Sequence, residues 1–244
     1  MRIVWSAVLV VLALRQLPAD PLTLAAETSV FSQYVWRGMV PTDGPVLQNS
    51  VTTQWRGAHL NIWTNQDLSS VNGRQWKFDE LDFDAGYDRS LKKAVFSAGA
   101  IHYTFPNTRA AAATELYAGA ALAVPLRPTV KAFFDVDNTH GAYLTSDVSH
   151  AVTLPSLGES VEWRVELAAG AGWGSSSYSL SWFGVREPGW IDFHPNVAVP
   201  FLFGKHWRLT PHLSYSALAR SDLRQTGVPC AHGFVAGLAL GFAR

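Results

Sequence analysis

This chain lacks most of the features that mark a soluble enzyme or a helical membrane protein. Beyond its N-terminal stretch no segment approaches the ~18 uncharged apolar residues of a spanning helix, so a crossing by later helices is excluded. Cysteine is reduced to Cys230, a loop residue between Pro229 and Ala231 that can form no internal disulfide. Charge is scarce as well: Asp, Glu, Lys and Arg make up 16% of the residues, against about 25% in a typical soluble domain. The formal net charge is zero and no basic run occurs, which argues against nucleic acid as a partner. There is no His-Glu-x-x-His, no cysteine cluster, no phosphate loop and no Gly-x-Ser-x-Gly. No cofactor, metal or catalytic residue is therefore expected.

What is present begins with a leader. Met1-Arg2 supplies a positive start, and Ile3 to Leu14 is an unbroken apolar or small run, too short for an anchor. Small residues at Ala25 and Ala26 precede Glu27-Thr28-Ser29 and allow cleavage near Ala26; Ala19 is a second possible site. The expected organisation is a signal peptide over 1–26 and one domain over 27–244. Aromatics are 12% of the chain with ten Trp, and Trp and Tyr gather at membrane–water interfaces because their rings are amphipathic.

Alternation then sets the fold class. In Ser160 to Gly172, Val161, Trp163, Val165, Leu167, Ala169 and Ala171 share one parity. Glu162, Arg164, Glu166, Ala168, Gly170 and Gly172 share the other. Alternate side chains of a strand point to opposite faces, so one face is apolar and the other is charged and shrinks to glycine. The pattern recurs in segments of about ten residues, the length a tilted strand needs to cross a bilayer. Strands are expected at 29–38, 46–56, 58–67, 77–89, 93–105, 113–124, 129–137, 142–154, 160–173, 190–203, 206–218 and 233–243. Tight connections alternate with longer ones, the rhythm of short periplasmic turns and external loops; Asn138 to Gly141 should be long and is short. The final strand puts Phe234, Ala236, Leu238, Leu240 and Phe242 on one face, with Phe242 two residues from the end. The expected fold is all-β: a closed antiparallel outer-membrane β-barrel of about 12 strands, with outer-membrane lipid as a partner. A soluble sandwich or lipocalin-like barrel would alternate in the same way.

Ser32-Gln33-Tyr34-Val35-Trp36-Arg37-Gly38, followed by Thr42-Asp43-Gly44-Pro45 and Gln48, resembles the opening of the Gcw-chp family of proteobacterial proteins. Trp63, Glu80-Leu81-Asp82 and Gly86-Tyr87 resemble its next two blocks, so the likeness covers about residues 29–105. Gln33 stands where the family carries an Asp. The resemblance implies a secreted, outer-membrane location and no established activity.

Chemistry should lie on the inward parity. That set is Glu80, Asp82 and Asp84; Glu115 and Tyr117; Lys131, Asp135 and Asp137; Asp147; Glu162, Arg164 and Glu166; Asp192, His194 and Asn196; and Arg208 and His212. Isolated buried charges are costly, so these must pair or stay wet, as a lumen charge network or a solute pathway. Arg37 is expected at the external mouth beside Asp43. The functional expectation is a non-enzymatic small channel or uptake/binding protein for small polar solutes, cationic ones included because the inward carboxylates outnumber the bases. A non-conducting structural or envelope-interaction barrel, and an outer-membrane enzyme acting on lipid or polysaccharide, stay as alternatives.

Overall fold

The protein was analysed as a computed structural model, which describes residues 22–158, 161–229 and 232–244. The apolar leader run, Ala19 and Cys230 lie outside the described residues.

Strands β1 (Thr23–Phe31), β4 (Val46–Trp55), β5 (Ala58–Asp67), β6 (Phe78–Leu91), β7 (Ala94–Thr104), β8 (Ala113–Leu122), β9 (Thr129–Asp135), β10 (Ala142–Thr153) and β11 (Val161–Gly174) form most of the wall. The segments β12 (Gly189–Phe193), β13 (Asn196–Ala198) and β14 (Phe201–Phe203), then β15 (Trp207–Leu218) and β16 (His232–Ala243), complete it. Every neighbouring pair is antiparallel, β16 pairs with β1, and β10 pairs with β11, so the sheet closes on itself. Fourteen segments make twelve wall positions, because β12, β13 and β14 lie end to end between β11 and β15. Closure leaves no open edge, the condition for a sheet in lipid.

Two expectations are corrected. The tenth strand, expected unbroken over 190–203, is interrupted around Pro195 and Pro200. Proline has no N–H to give the ladder, so the pairing stops and resumes at each. The first strand, expected at 29–38, runs over Thr23–Phe31 and pairs on both sides from its first residues. It begins four residues before the expected boundary at 26/27. Residues beyond it turn inward as a separate hairpin, β2 (Tyr34–Trp36) and β3 (Met39–Thr42). The remaining boundaries fall within two residues of expectation.

The tight connections have the backbone they need. Arg56 (φ 49°) and Gly57 (φ 85°) are both left-handed, the two-residue hairpin that matches strand twist. These turns define one end of the barrel, where Leu24 and Arg244 also bond to each other. The other end carries the longer loops, with helices α1 (Ser176–Phe183) and α2 (Ser221–Arg224).

Outside, Val51, Leu60, Phe83, Phe96, Leu116, Phe134, Val148, Leu167 and Leu240 are exposed apolar residues on the outward parity. Inside, glycines face large rings. A Cβ on Gly172 would lie 2.0 Å from the Tyr143 hydroxyl, one on Gly86 2.2 Å from that of Tyr117, and one on Gly237 2.1 Å from the Phe31 ring. The glycine parity is thus the lumen side, kept bare so that rings from neighbouring strands fit.

Candidate functional site: a plugged and an open half of the lumen

The loop half of the lumen is packed. The hairpin of β2 and β3 reaches across the lumen and sets Arg37 against Glu115 of β8 and Gly38 against β12 and β15. Gly38 (φ 78°) approaches Leu218 and Asp192 so closely that a Cβ would meet them at 2.6 and 2.9 Å, and its left-handed backbone suits glycine. Arg37 is buried. Its Nη1 and Nη2 each donate to one oxygen of Glu115 at 2.7 Å, and Tyr103 adds a third donor to Glu115 at 2.6 Å. The guanidinium also lies 4.2–4.7 Å from the ring centroids of Trp36, Phe133 and Tyr143. Burial works against the Arg37 charge, but Glu115 opposite it prevails and holds its pKa well above the ordinary value. Around this clasp, Met39, Tyr103, Tyr143, Tyr178, Phe183, Ile191 and Leu223 form one apolar cluster, and Phe31, Tyr34, Val35, Val46 and Val235 a second. Arg37 is therefore no open mouth residue beside Asp43. Asp43 is exposed, whereas Arg37 belongs to the plug.

The hairpin root is held by polar contacts. Thr42 donates to Asp67 at 2.7 Å, Asn65 to Asp79 at 2.7 Å and Gln48 to Asn65 at 3.0 Å. Asp67, Asp79, Glu80 and Asp82 are buried there, Asp79 beside a bulge between Asn65 and Gln66.

The turn half is open. A cavity of about 350 Å³ is lined by Glu27, Thr52, His59, Asn61, Asp82, Asp84, Asp88, Ser97, Tyr117, Lys131, Asp147, Arg164 and Arg208 among others. Its lining runs out to the turn-end residues Lys205, Trp207 and Ala243. Most charges in it are matched. Arg208 donates to Glu27 at 2.9 Å and Arg164 to Glu166 at 2.5 Å. His59 stands 3.4 Å from Asp88, 3.6 Å from Asp84 and 3.0 Å from the Tyr117 hydroxyl, which donates to Asp84 at 2.9 Å. A second set lies deeper: Tyr143 donates to Asp192 at 2.6 Å, and His194 sits 2.7 Å from Asp192 and 3.0 Å from Asp147. With carboxylates at both ring nitrogens, His194 as an imidazolium satisfies both. Gly170 leaves the space His194 occupies, a Cβ there falling 2.4 Å from His194 Nε2, and Gly172 does the same for Tyr143 and Asp192.

The inward carboxylates thus do not form the free acidic surplus expected from the sequence. Asp135 accepts from the backbone N–H groups of Asp137, Asn138 and Thr139 and from the Thr139 hydroxyl. It caps the one short loop at its end of the barrel and contributes no open charge to the lumen. Asp137 lies past β9 and is exposed, as is Glu162 near the start of β11. His212 packs beside the Phe31 ring, centroids 5.8 Å apart. Among the carboxylates, four contributors escaped the sequence reading. Asp88 shares the parity of Glu80 to Asp84, so its signal was in plain view. Glu27 fell between the expected leader and the expected first strand, Asp79 is the extra residue at the bulge, and Asp67 continues the parity of Asn61 and Asn65. Among the described residues no group of three or more His, Cys, Asp or Glu could hold a metal ion.

A family model described as a bacterial protein of unknown function, Gcw_chp, matches residues 15–181. The chain belongs to the Gcw_chp family. The family segment contains both halves of the Arg37–Glu115 clasp and ends within α1. No curated protein matches this Gcw_chp chain. Among solved structures, it is similar to a KdgM porin at 10% identity and a TM-score of 0.50, with 90% of this chain and 97% of that one covered. An outer-membrane channel from Pseudomonas putida F1 is similar at 10% identity and a TM-score of 0.52, covering 94% and 97%. At these identities the likeness concerns the fold, a closed antiparallel outer-membrane-type barrel.

Proposed function

We propose that the protein is an outer-membrane channel for small polar solutes, closed at its outer end by the β2–β3 hairpin. The observation that carries this reading is the division of the lumen. The twelve-position wall is complete, a polar cavity of about 350 Å³ occupies the turn half, and the hairpin that reaches into the loop half is an inserted connection, not wall. Short turns and both termini face the periplasm in this reading, and the loops face outward. Of the two cleavage sites read from the sequence, the one at Ala19 leaves β1 whole. The terminal mass of the mature protein tests it.

The membrane setting follows from the outward face, where a charge near mid-bilayer costs about 2–4 kcal/mol. Val165→Arg should therefore reduce the heat-modifiable folded band in outer-membrane fractions, and Glu166→Gln, on the lumen parity, should not. Equal loss in both, or recovery of the wild type from the soluble periplasm, would overturn the setting.

Conductance in a planar bilayer tests the channel. Deleting 33–42 leaves Ser32, Asp43, Gly44 and Pro45 to join Phe31 and Val46, which are paired neighbours. The wild type should open rarely, and the deletion should raise conductance several-fold. The packed loop half favours one competing reading, a non-conducting structural barrel. A folded deletion variant that stays silent would establish that one. His194 is not a free base in either reading, since both its ring nitrogens face carboxylates.

A further inference from the structure

Lys131 stands at the inner end of the open cavity, where the vestibule meets the plug. It is 9% exposed and lines the cavity. Its Nζ lies 3.7 Å from the Tyr117 ring centroid and 5.1 Å from that of Phe133. Its backbone is held in the sheet ladder, but among the described residues its ammonium makes no hydrogen bond or ion pair. The other lumen cations differ: Arg37, Arg164, Arg208, His59 and His194 each have a carboxylate within 4.0 Å. The acids that act on Lys131 are engaged elsewhere, Asp84 by Tyr117 and His59, Asp88 by His59, and Glu115 by Arg37 and Tyr103. Ring faces recover part of what an ammonium loses on leaving water, but they accept none of its three N–H donors in a directed bond. Those donors have the cavity to point into.

We infer that Lys131 anchors a binding site for a small monovalent organic anion that enters from the turn end. The anionic oxygens take the Lys131 donors, and the polar remainder lies against Asn61, Thr52 and Ser97, which line the same cavity. One negative charge is what one ammonium offsets; a second would be repelled by Asp84, Asp88 and Asp147. The cavity, at about 350 Å³, is of small-organic-ligand size and far larger than one inorganic ion requires. This names a solute class for the proposed channel and rests on that reading for the solute's route, while the binding itself does not need an open pore.

The test is calorimetric titration of the purified full-length barrel in detergent micelles, with sodium gluconate as the probe and sorbitol, inorganic phosphate and putrescine beside it. Gluconate should bind saturably, sorbitol and putrescine should not, and phosphate should bind about tenfold more weakly. Lys131→Met should weaken gluconate by about tenfold or more, while Lys93→Met, exposed and outside the cavity lining, should leave it unchanged. Lys131→Arg should retain gluconate binding. Undiminished gluconate binding by Lys131→Met, preference for putrescine, or no gluconate binding by the wild type would each overturn the inference; the wild-type arms decide even if a variant fails to fold. Conductance without gluconate binding would sink this inference and leave the channel standing. Gluconate binding by a barrel that stays silent after the hairpin deletion would do the reverse.

Discussion

The two halves of the lumen are built on the same strands with the same alternation, yet they handle charge differently. In the loop half the Arg37–Glu115 pair is buried, bidentate at 2.7 Å and ringed by aromatics. In the turn half, Arg208 meets Glu27 through one bond at 2.9 Å, and both side chains keep some exposure, 22% and 13%. The two Asp–His–Tyr sets repeat the contrast. His194, Asp192 and Tyr143 are linked at 2.6–2.7 Å with Asp192 buried. His59 reaches Asp84 and Asp88 only at 3.6 and 3.4 Å, with the acids 20% exposed. Water tolerates loose pairing because it solvates what the partner leaves over, whereas a dry interior demands that each charge be fully received. Length alone does not separate the halves, since Arg164 meets Glu166 at 2.5 Å in the turn half; burial together with bidentate reception marks the closed one.

The largest effect should come from breaking the tight pair. Glu115→Ala leaves Arg37 buried and uncompensated, which costs about 3–5 kcal/mol. The temperature at which the folded band converts in gels should fall accordingly. Glu27→Gln leaves Arg208 in reach of water, so its cost should be about 1 kcal/mol or less. Similar losses in both variants would mean that the two halves are equally dry, and the comparison would fail.

Much of the wall was legible in the sequence because alternation and turn spacing are local. β4 through β9, β15 and β16 begin and end within two residues of where Val51, Leu60, Phe83, Leu116 and their neighbours put them. The plug was not legible. Tyr34, Val35 and Trp36 carry the pattern of a lipid-facing strand, and an apolar face reads alike whether it meets lipid or the inside of a barrel. Only contacts distant in sequence, such as the 78 residues between Arg37 and Glu115, separate the two cases. Removing residues up to 26 with the leader also displaced the first strand, and so lent Tyr34–Gly38 to the wall. Asp135 looked like a lumen charge because parity gives direction and not partner; its partners are the N–H groups of a loop. The glycine parity was visible in Gly170 and Gly172, but the rings that need it are Tyr143 on β10 and His194 just past β12.

The smallest effect, and the sharpest local test, compares two glycines of the inward face, one in each half of the lumen. A Cβ on Gly172 would fall 2.0 Å from the Tyr143 hydroxyl and 2.3 Å from Asp192 Oδ1, in the packed region. One on Gly241, beside Arg208 and Glu27 at the turn end, meets nothing nearer than 3.5 Å. Both backbones are compatible with alanine, since neither is among the positive-φ positions. Gly172→Ala must push apart the Tyr143–Asp192–His194 set and should cost about 1–3 kcal/mol, the range for overpacking. Gly241→Ala should be neutral or slightly stabilising, because alanine loses less backbone freedom on folding. The conversion temperature of the folded band should then fall for the first variant alone. A neutral Gly172→Ala would mean that the ring and carboxylate can move into free space, and free space there would open the half of the lumen that the clasp is taken to close.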